Sequence, residues 1–265
     1  MKPVMLRRWV LAGSLFGVLF GLVSFAPASW LAQALASATG NHVLLTDTRG
    51  TIWSGSGVLV LTGGDGSRDA ASLPGRIAWR TGLQGGGVRL MATQSCCVNG
   101  ELELLLRPGF GRLSIEVSNR SDWLVRVPAG WLAGLGTPWN TLQLGGSLRL
   151  QSRDLRFERV EGRWLQQGSA QLDLVNLSSR VSTLAPLGSY RFTVTADAAN
   201  AGSSLLQLST LDGGLLLTGQ GQLSANGKSR FQGEASAAPG REEALNNLLN
   251  IIGRRQGPRS ILTLG

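Results

Sequence analysis

From residue 42 onward, apolar and polar residues alternate over short stretches that glycine-rich turns separate. A period of two is typical of a β-strand that buries one face and exposes the other to water. The alternation predicts strands over 42–48, 51–62, 76–80, 88–93, 102–106, 113–117, 148–151, 163–176, 190–195 and, as several strands, 204–236. The sequence therefore predicts a mainly β protein built on an antiparallel sheet.

The stretch from 204 to 236 carries the clearest turn signals. Asp212-Gly213-Gly214 and Asn226-Gly227 each lie between runs that alternate in the strand pattern. Asp-Gly and Asn-Gly pairs readily adopt the positive φ angles that two-residue hairpin turns require. These turns predict consecutive hairpins, which together form an antiparallel meander.

Three stretches have a helical period instead, namely 27–40, 128–136 and 239–253. The last predicts an amphipathic C-terminal helix, whose apolar stripe is Leu245, Leu248, Leu249 and Ile252. The stripe could cap an open end of the sheet, dock on another protein or contact a membrane, and we favour capping. Both a boundary between two sheets near 128–138 and one continuous curved sheet fit the pattern.

The chain begins with an apolar segment. Trp9 to Ala26 carries no charge, and Lys2, Arg7 and Arg8 precede it. Eighteen helical residues extend about 27 Å, close to the hydrocarbon thickness of a bilayer. Because positive charges stay on the cytoplasmic side, the sequence predicts a single-pass inner-membrane protein whose C-terminal body is periplasmic.

A cleaved signal peptide is the alternative, since Ala26-Pro27-Ala28 has small residues typical of a cleavage site. We favour an uncleaved anchor, because the apolar segment exceeds the roughly 7–15 residues of a signal-peptide core. The predicted organisation is a cytoplasmic tail over 1–8, a transmembrane helix over 9–26, a juxtamembrane helix over 27–40 and a periplasmic β domain over 41–265.

Composition and charge narrow the functional classes. Of 265 residues, 43% are hydrophobic and only 15% are charged, so the chain can build a core and is not disordered. Without the three N-terminal charges, 22 basic and 16 acidic residues leave a net charge of +6. This excess fits either a solvated basic surface or contact with anionic lipid or an acidic partner. No sequence motif for nucleic-acid binding is present.

The sequence carries little catalytic chemistry. His42 is the only histidine, and no nucleophile elbow, phosphate-binding loop or HExxH motif occurs. Metal sites need clusters of histidine, cysteine or carboxylate residues, which the sequence does not show. We therefore predict a protein that is not an enzyme and has no metal and no cofactor.

Cys96 and Cys97 are the only cysteines, and they are adjacent. Neighbouring Cα atoms lie about 3.8 Å apart, below the separation usual in disulfides, so a bond between the two requires a tight turn. An oxidising periplasm permits such a bond. A vicinal disulfide, two free thiols and intermolecular pairing all remain open at this point.

Seven segments, in order along nearly the whole chain, resemble type II secretion system protein N. They are Pro27–Ala32, Arg49–Ser56, Leu73–Trp79, Leu135–Leu142, Ser179–Ser182, Pro186–Arg191 and Leu248–Gly257. The resemblance implies an accessory inner-membrane component of the machine that exports folded periplasmic proteins. It implies partners among the inner-membrane platform, the secretin or the pseudopilins, and it supplies no catalytic residues.

Several side chains are candidates for interaction because of their chemistry. They are Arg49, Trp53, Trp79, Trp139 and Asn140, together with the C-terminal stripe Leu245, Leu248, Leu249 and Ile252. Tryptophan and arginine are enriched where proteins contact partners, although tryptophan also packs in cores. We expect a structural or assembly role in secretion from this set.

A second hypothesis concerns lipid. A membrane anchor followed by a long, leucine-rich antiparallel sheet resembles the plan of AsmA-like envelope proteins, whose curved sheets form an apolar groove. An uncovered apolar face could hold acyl chains along the strands. A continuous apolar concave face, rather than a filled core, would favour this alternative.

Overall fold

The structure is a computed structural model that describes residues 3–120, 122–200, 202–224 and 229–264. Helices α1 to α4 cover Pro3–Ser24, Ala28–Ala38, Trp139–Leu142 and Glu242–Ile252, and a 3₁₀ helix covers Ala129–Leu135. In the described residues, strands β1 to β16 are Val43–Gly50, Ser54–Thr62, Ala70–Ser72, Ile77–Gln84, Gly87–Thr93, Glu101–Gly109, Arg112–Val117, Val125–Pro128, Gly145–Val160, Arg163–Ser178, Gly188–Ala196, Ser203–Gly213, Leu215–Ser224, Ser229–Ala237, Arg254–Gln256 and Arg259–Leu264.

These strands form a single antiparallel sheet across the described residues. Its order is β1-β2-β4-β5-β6-β7-β9-β10-β11-β12-β13-β14-β16-β15, with β3 beside β2 and β8 beside β9. Most neighbours are consecutive along the chain, which is the meander that the turn signals predict. The sheet continues past residues 128–138 without interruption, because β7 and β8 both pair with β9.

The two faces of the sheet differ chemically. Directly paired residues of antiparallel strands point to the same face, so the register assigns each residue to one side. Leu172, Phe192, Leu208 and Gly219 occupy one such row, and Asp173, Arg191 and Ser209 occupy the adjacent row on the opposite side. We call these sides the apolar face and the polar face.

The sheet curves so that the apolar face is concave. Phe192 on β11 and Phe231 on β14 have ring centroids 6.1 Å apart although β12 and β13 lie between them. Three strand spacings in a flat sheet would place the backbones about 14 Å apart. Gly219 makes the approach possible, since a Cβ there would collide with the Phe231 ring.

The helices beyond α1 pack on the apolar face. Helix α2 joins Leu45 and Trp79 in a small core, and the 3₁₀ helix and α4 contribute to the main one. The main core also includes Tyr190, Leu148 and Leu177, which belong to the strands. Because the 3₁₀ helix and α4 cluster where β10 ends and β11 begins, they close one end of the strands, which we call the closed end.

The N-terminal segment is helical, as expected, but α1 ends at Ser24 rather than at Ala26. Over residues 3–120, 122–200, 202–224 and 229–264, no helix is long and apolar enough to cross a membrane. This differs from the transmembrane helix predicted over 9–26.

The remaining elements follow the sequence closely. Helix α2 lies within 27–40, the 3₁₀ helix within 128–136, and α4 within 239–253. The Asp212-Gly213-Gly214 turn joins β12 to β13. Asn226-Gly227 lies outside the described residues, while β13 and β14 on either side of it are paired from Leu215↔Ala237 to Leu223↔Ser229.

Candidate interaction surfaces

The polar face carries a ladder of ion pairs across neighbouring strands. Arg89 contacts Glu103 at 2.7 Å, and Arg107 and Arg156 contact Glu116 at 2.6 and 3.4 Å. The hydrogen bond that Arg89 donates to the Glu103 carboxylate raises the pKa of Arg89 above its ordinary value. Exposed pairs of this kind add little stability, so the ladder mainly gives this side a pattern of alternating charge.

A shallow groove of about 1230 Å³ lies along β12, β13, β14 and β16. Its lining includes the exposed polar-face side chains Gln207, Gln220, Gln222 and Gln232. Each amide both donates and accepts hydrogen bonds, and Arg230 and Glu234, which also line the groove, add one charge of each sign. Within the described part of the chain, no helix covers the polar face.

The apolar face extends beyond its two cores. Val194, Leu206 and Phe231 are half-buried, and Leu223 is exposed at the far end of β13. Further across the sheet, Leu106 pairs with Ile115, which pairs with Phe157, in one apolar row. The apolar face is therefore covered near the closed end and left partly open toward the other.

Trp53 and Trp79 join the N-terminal helices to the sheet. The Trp53 indole Nε1 donates to the Val23 carbonyl at 2.8 Å, and the Trp79 Nε1 donates to the Thr51 carbonyl at 3.1 Å. Trp79 is only 4% exposed and its ring lies against Gly55, where any side chain would collide with it. Trp79 is therefore a core residue, and Trp53 anchors the chain that leaves α1.

Arg49 lies beside this joint and is exposed. It contacts Asp47 at 3.3 Å, and Arg76 also binds Asp47. The hydrogen bond from Arg76 is the largest cause that lowers the pKa of Asp47. Of the three N-terminal candidates, only Arg49 presents most of its side chain to a partner.

Trp139 and Asn140 hold the segment after the 3₁₀ helix in place. Trp139 packs against the main core, and the Asn140 Nδ2 donates to Asp69 Oδ2 at 3.2 Å. Nearby, the Trp131 Nε1 donates to the Ala71 carbonyl at 2.9 Å. The segment therefore supports β3, and both candidates contribute to its internal contacts.

The C-terminal stripe lies in the core. Leu245, Leu248 and Leu249 are 0–2% exposed, and Ile252 packs against the same cluster. Burial of this stripe corresponds to capping of the sheet, which was the favoured alternative. Because the sheet itself covers these three leucines, they are not exposed to a partner in this conformation.

Cys96 and Cys97 are bonded to each other in the structure. Cys97 is 3% exposed and belongs to the main core, whereas Cys96 is exposed. The Cys97 carbonyl accepts the Arg126 amide at 2.8 Å. This backbone hydrogen bond links the loop before β6 to β8 at the closed end.

No metal-binding cluster of histidine, cysteine and carboxylate residues occurs in the described residues. Three hairpin turns expose apolar side chains that were not among the predicted candidates, namely Leu83, Phe110 and Trp164. An apolar residue beside a turn glycine was the only available signal, and it does not separate exposure from burial.

The resemblance seen in the sequence extends over most of this fold. The family model for type II secretion system (T2SS), protein N, matches residues 41–262. The chain belongs to this protein N family. The match runs from just before β1 into β16, so it includes the main core and both faces of the sheet, while helix α2 lies before it.

Membership of the protein N family gives the chain an accessory role in type II secretion and implies contact with other components of that system. The family is not known for enzymatic activity. No curated protein and no solved structure matches the chain.

Proposed function

We propose that the chain is a non-enzymatic scaffold of the type II secretion system and binds other components through its polar face. The packing of α2, the 3₁₀ helix and α4 on the apolar face carries this proposal. The polar face keeps its ion-pair ladder and its glutamine-lined groove free for a partner. Polar, hydrogen-bonding surfaces of this kind suit contacts that form and dissociate during assembly.

The scaffold is held at the inner membrane, with its sheet in the periplasm. Exposed apolar side chains on α1 support this location, since Phe16, Phe20 and Leu15 are 62–72% exposed. Water disfavours so many uncovered apolar groups on one helix, whereas lipid accepts them. A periplasmic sheet would reach the secretion components in that compartment, with the platform, the pseudopilins and the secretin as the candidates.

Two positions on β13, one on each face of the sheet, provide the test. Gln220 lies on the polar face, and Leu223 lies on the apolar face of the same strand. A photo-crosslinking residue is placed at each position in turn, in cells that secrete. After irradiation, mass spectrometry identifies the captured proteins and lipids. We expect secretion components at position 220 and far fewer at position 223.

Lipid binding along the apolar face is the second candidate. The observation in its favour is the concave apolar surface that continues past the cores through Val194, Leu206 and Phe231. Phospholipid captured at position 223, with no secretion component at position 220, would overturn the scaffold proposal and support this one.

A further inference from the structure

Three hairpin turns expose apolar side chains to solvent. Phe110 is fully exposed between β6 and β7, Leu83 is 81% exposed at the end of β4, and Trp164 is 39% exposed at the start of β10. Folding alone does not favour such exposure, because removing an apolar side chain from water lowers the free energy. Clusters of this kind mark binding surfaces.

The three turns lie at the same end of the sheet. In a meander, every second turn falls at one end, and β4–β5, β6–β7 and β9–β10 all turn there. The register brings β7 and β10 to either side of β9, so that Leu113, Arg159 and Trp164 form one row. We call the turns 83–88, 108–113 and 159–164 the hairpin rim.

The hairpin rim is basic. Arg112 pairs with Val160 in the ladder, and Val160 pairs with Arg163, so the two arginines lie two strands apart. The Arg159 guanidinium lies 5.9 Å from the centre of the Trp164 ring. None of these three arginines takes part in a salt bridge among the described residues. Glu161 is also exposed here, which leaves the rim with a positive excess.

Helix α1 joins the sheet at this same end. The β1–β2 turn, at residues 51–53, lies toward the rim end of the sheet. Ser54, which follows this turn, pairs with Arg80, and β4 continues from Arg80 to the β4–β5 turn of the rim. The Ile52 amide donates to the Ala26 carbonyl at 3.0 Å, so the chain leaving α1 is fixed there. Phe25, at the end of α1, is 79% exposed. The rim and α1 therefore present apolar groups at one end of the molecule.

We propose that the hairpin rim docks on the surface of an anionic phospholipid bilayer. Aromatic side chains favour the region between lipid headgroups and acyl chains, and arginines bind lipid phosphates. Phe110, Leu83 and Trp164 supply the first chemistry, and Arg112, Arg159 and Arg163 supply the second. This contact would hold the strands upright on the membrane, and it does not depend on the scaffold role.

Amide hydrogen exchange on the full chain in nanodiscs tests the proposal. Nanodiscs of phosphatidylcholine alone are compared with nanodiscs that also contain phosphatidylglycerol, and detergent serves as the reference. We expect the amides of 109–113 and 159–164 to exchange about tenfold more slowly in the anionic nanodiscs, since each arginine near such a surface strengthens docking by about fivefold.

Two variants and a matched control sharpen the result. Phe110→Ser and the triple change of Arg112, Arg159 and Arg163 to Gln should each remove most of the protection. Leu211→Ser is the control. Leu211 is 48% exposed, but it lies near the end of β12 that is farther from the hairpin rim. This variant should keep the protection of the rim intact.

Three results would overturn the proposal. The first is equal exchange at the rim in detergent and in anionic nanodiscs, and the second is equal protection with and without phosphatidylglycerol. The third is protection that arises only when another secretion component is added, which would make the rim a protein interface.

Discussion

The closed end and the hairpin rim of the same sheet differ in the exposure of their apolar residues. At the closed end, Leu245 and Leu248 are 0% and 2% exposed beneath the sheet. At the rim, Phe110 and Leu83 are 109% and 81% exposed. Helices and loops cover the first, whereas only two-residue turns form the second. Hydrophobicity alone therefore does not decide burial, and the nearest covering element does.

This difference separates stability from binding. Burying one leucine contributes about 1.5–3 kcal/mol, so the closed end concentrates the free energy of folding. Apolar residues at the rim contribute almost nothing until a partner or a membrane covers them. We expect the sensitivity of folding to substitution to fall steadily from the closed end toward the rim.

The largest effect is expected for Leu248→Ala at the closed end. Loss of a buried leucine side chain leaves a cavity and should lower the free energy of unfolding by about 2–5 kcal/mol. Ile251→Ala on the same helix is the control, because Ile251 is 51% exposed, and it should cost clearly less. Urea denaturation measures both, and equal losses would contradict the comparison.

Phe231→Ala tests the middle of the apolar face. Its half-buried ring packs toward Phe192 and covers Gly219, so its loss should cost about 2 kcal/mol, less than for a buried phenylalanine. Gln232→Ala, the next residue on the polar face, should change stability by less than about 0.5 kcal/mol. The same denaturation experiment would refute the gradient if Phe231→Ala cost more than Leu248→Ala.

Tyr190→Phe isolates one buried hydrogen bond at the closed end. The Tyr190 hydroxyl donates to the Leu215 carbonyl at 3.0 Å, and Tyr190 is 0% exposed. Burial raises the pKa of Tyr190. Without the hydroxyl, the carbonyl loses a bonding partner at a cost of about 1–2 kcal/mol. For contrast, the exposed Thr46 hydroxyl donates to the Val58 carbonyl at 3.3 Å. Thr46→Val should leave the free energy of unfolding nearly unchanged.

Phe110→Ser should have the smallest effect on folding. Its ring contacts solvent, so the free energy of unfolding should change by less than about 0.5 kcal/mol in detergent. The same variant should nonetheless lose protection of the rim on anionic nanodiscs. A large loss of stability in detergent would show that the rim is part of the folding core.

Local sequence patterns determined the elements of this protein. Alternation and the Asp-Gly turn predict the hairpins, because a strand with one wet face and a positive-φ turn are properties of a few adjacent residues. The helical period of 239–253 predicts α4 for the same reason. The order of segments shared with protein N also identifies the family from the sequence alone.

Only the tertiary structure decided which of these residues are covered. Trp79 and Leu245 were candidates for interaction, but helix α2 and the sheet bury them, whereas Phe110 and Trp164 went unnoticed. Exposure depends on contacts between residues that are far apart in sequence, and so does the curvature that brings Phe192 to Phe231. Local periodicity shows which face of a strand is apolar, but packing determines whether the protein or a partner covers it.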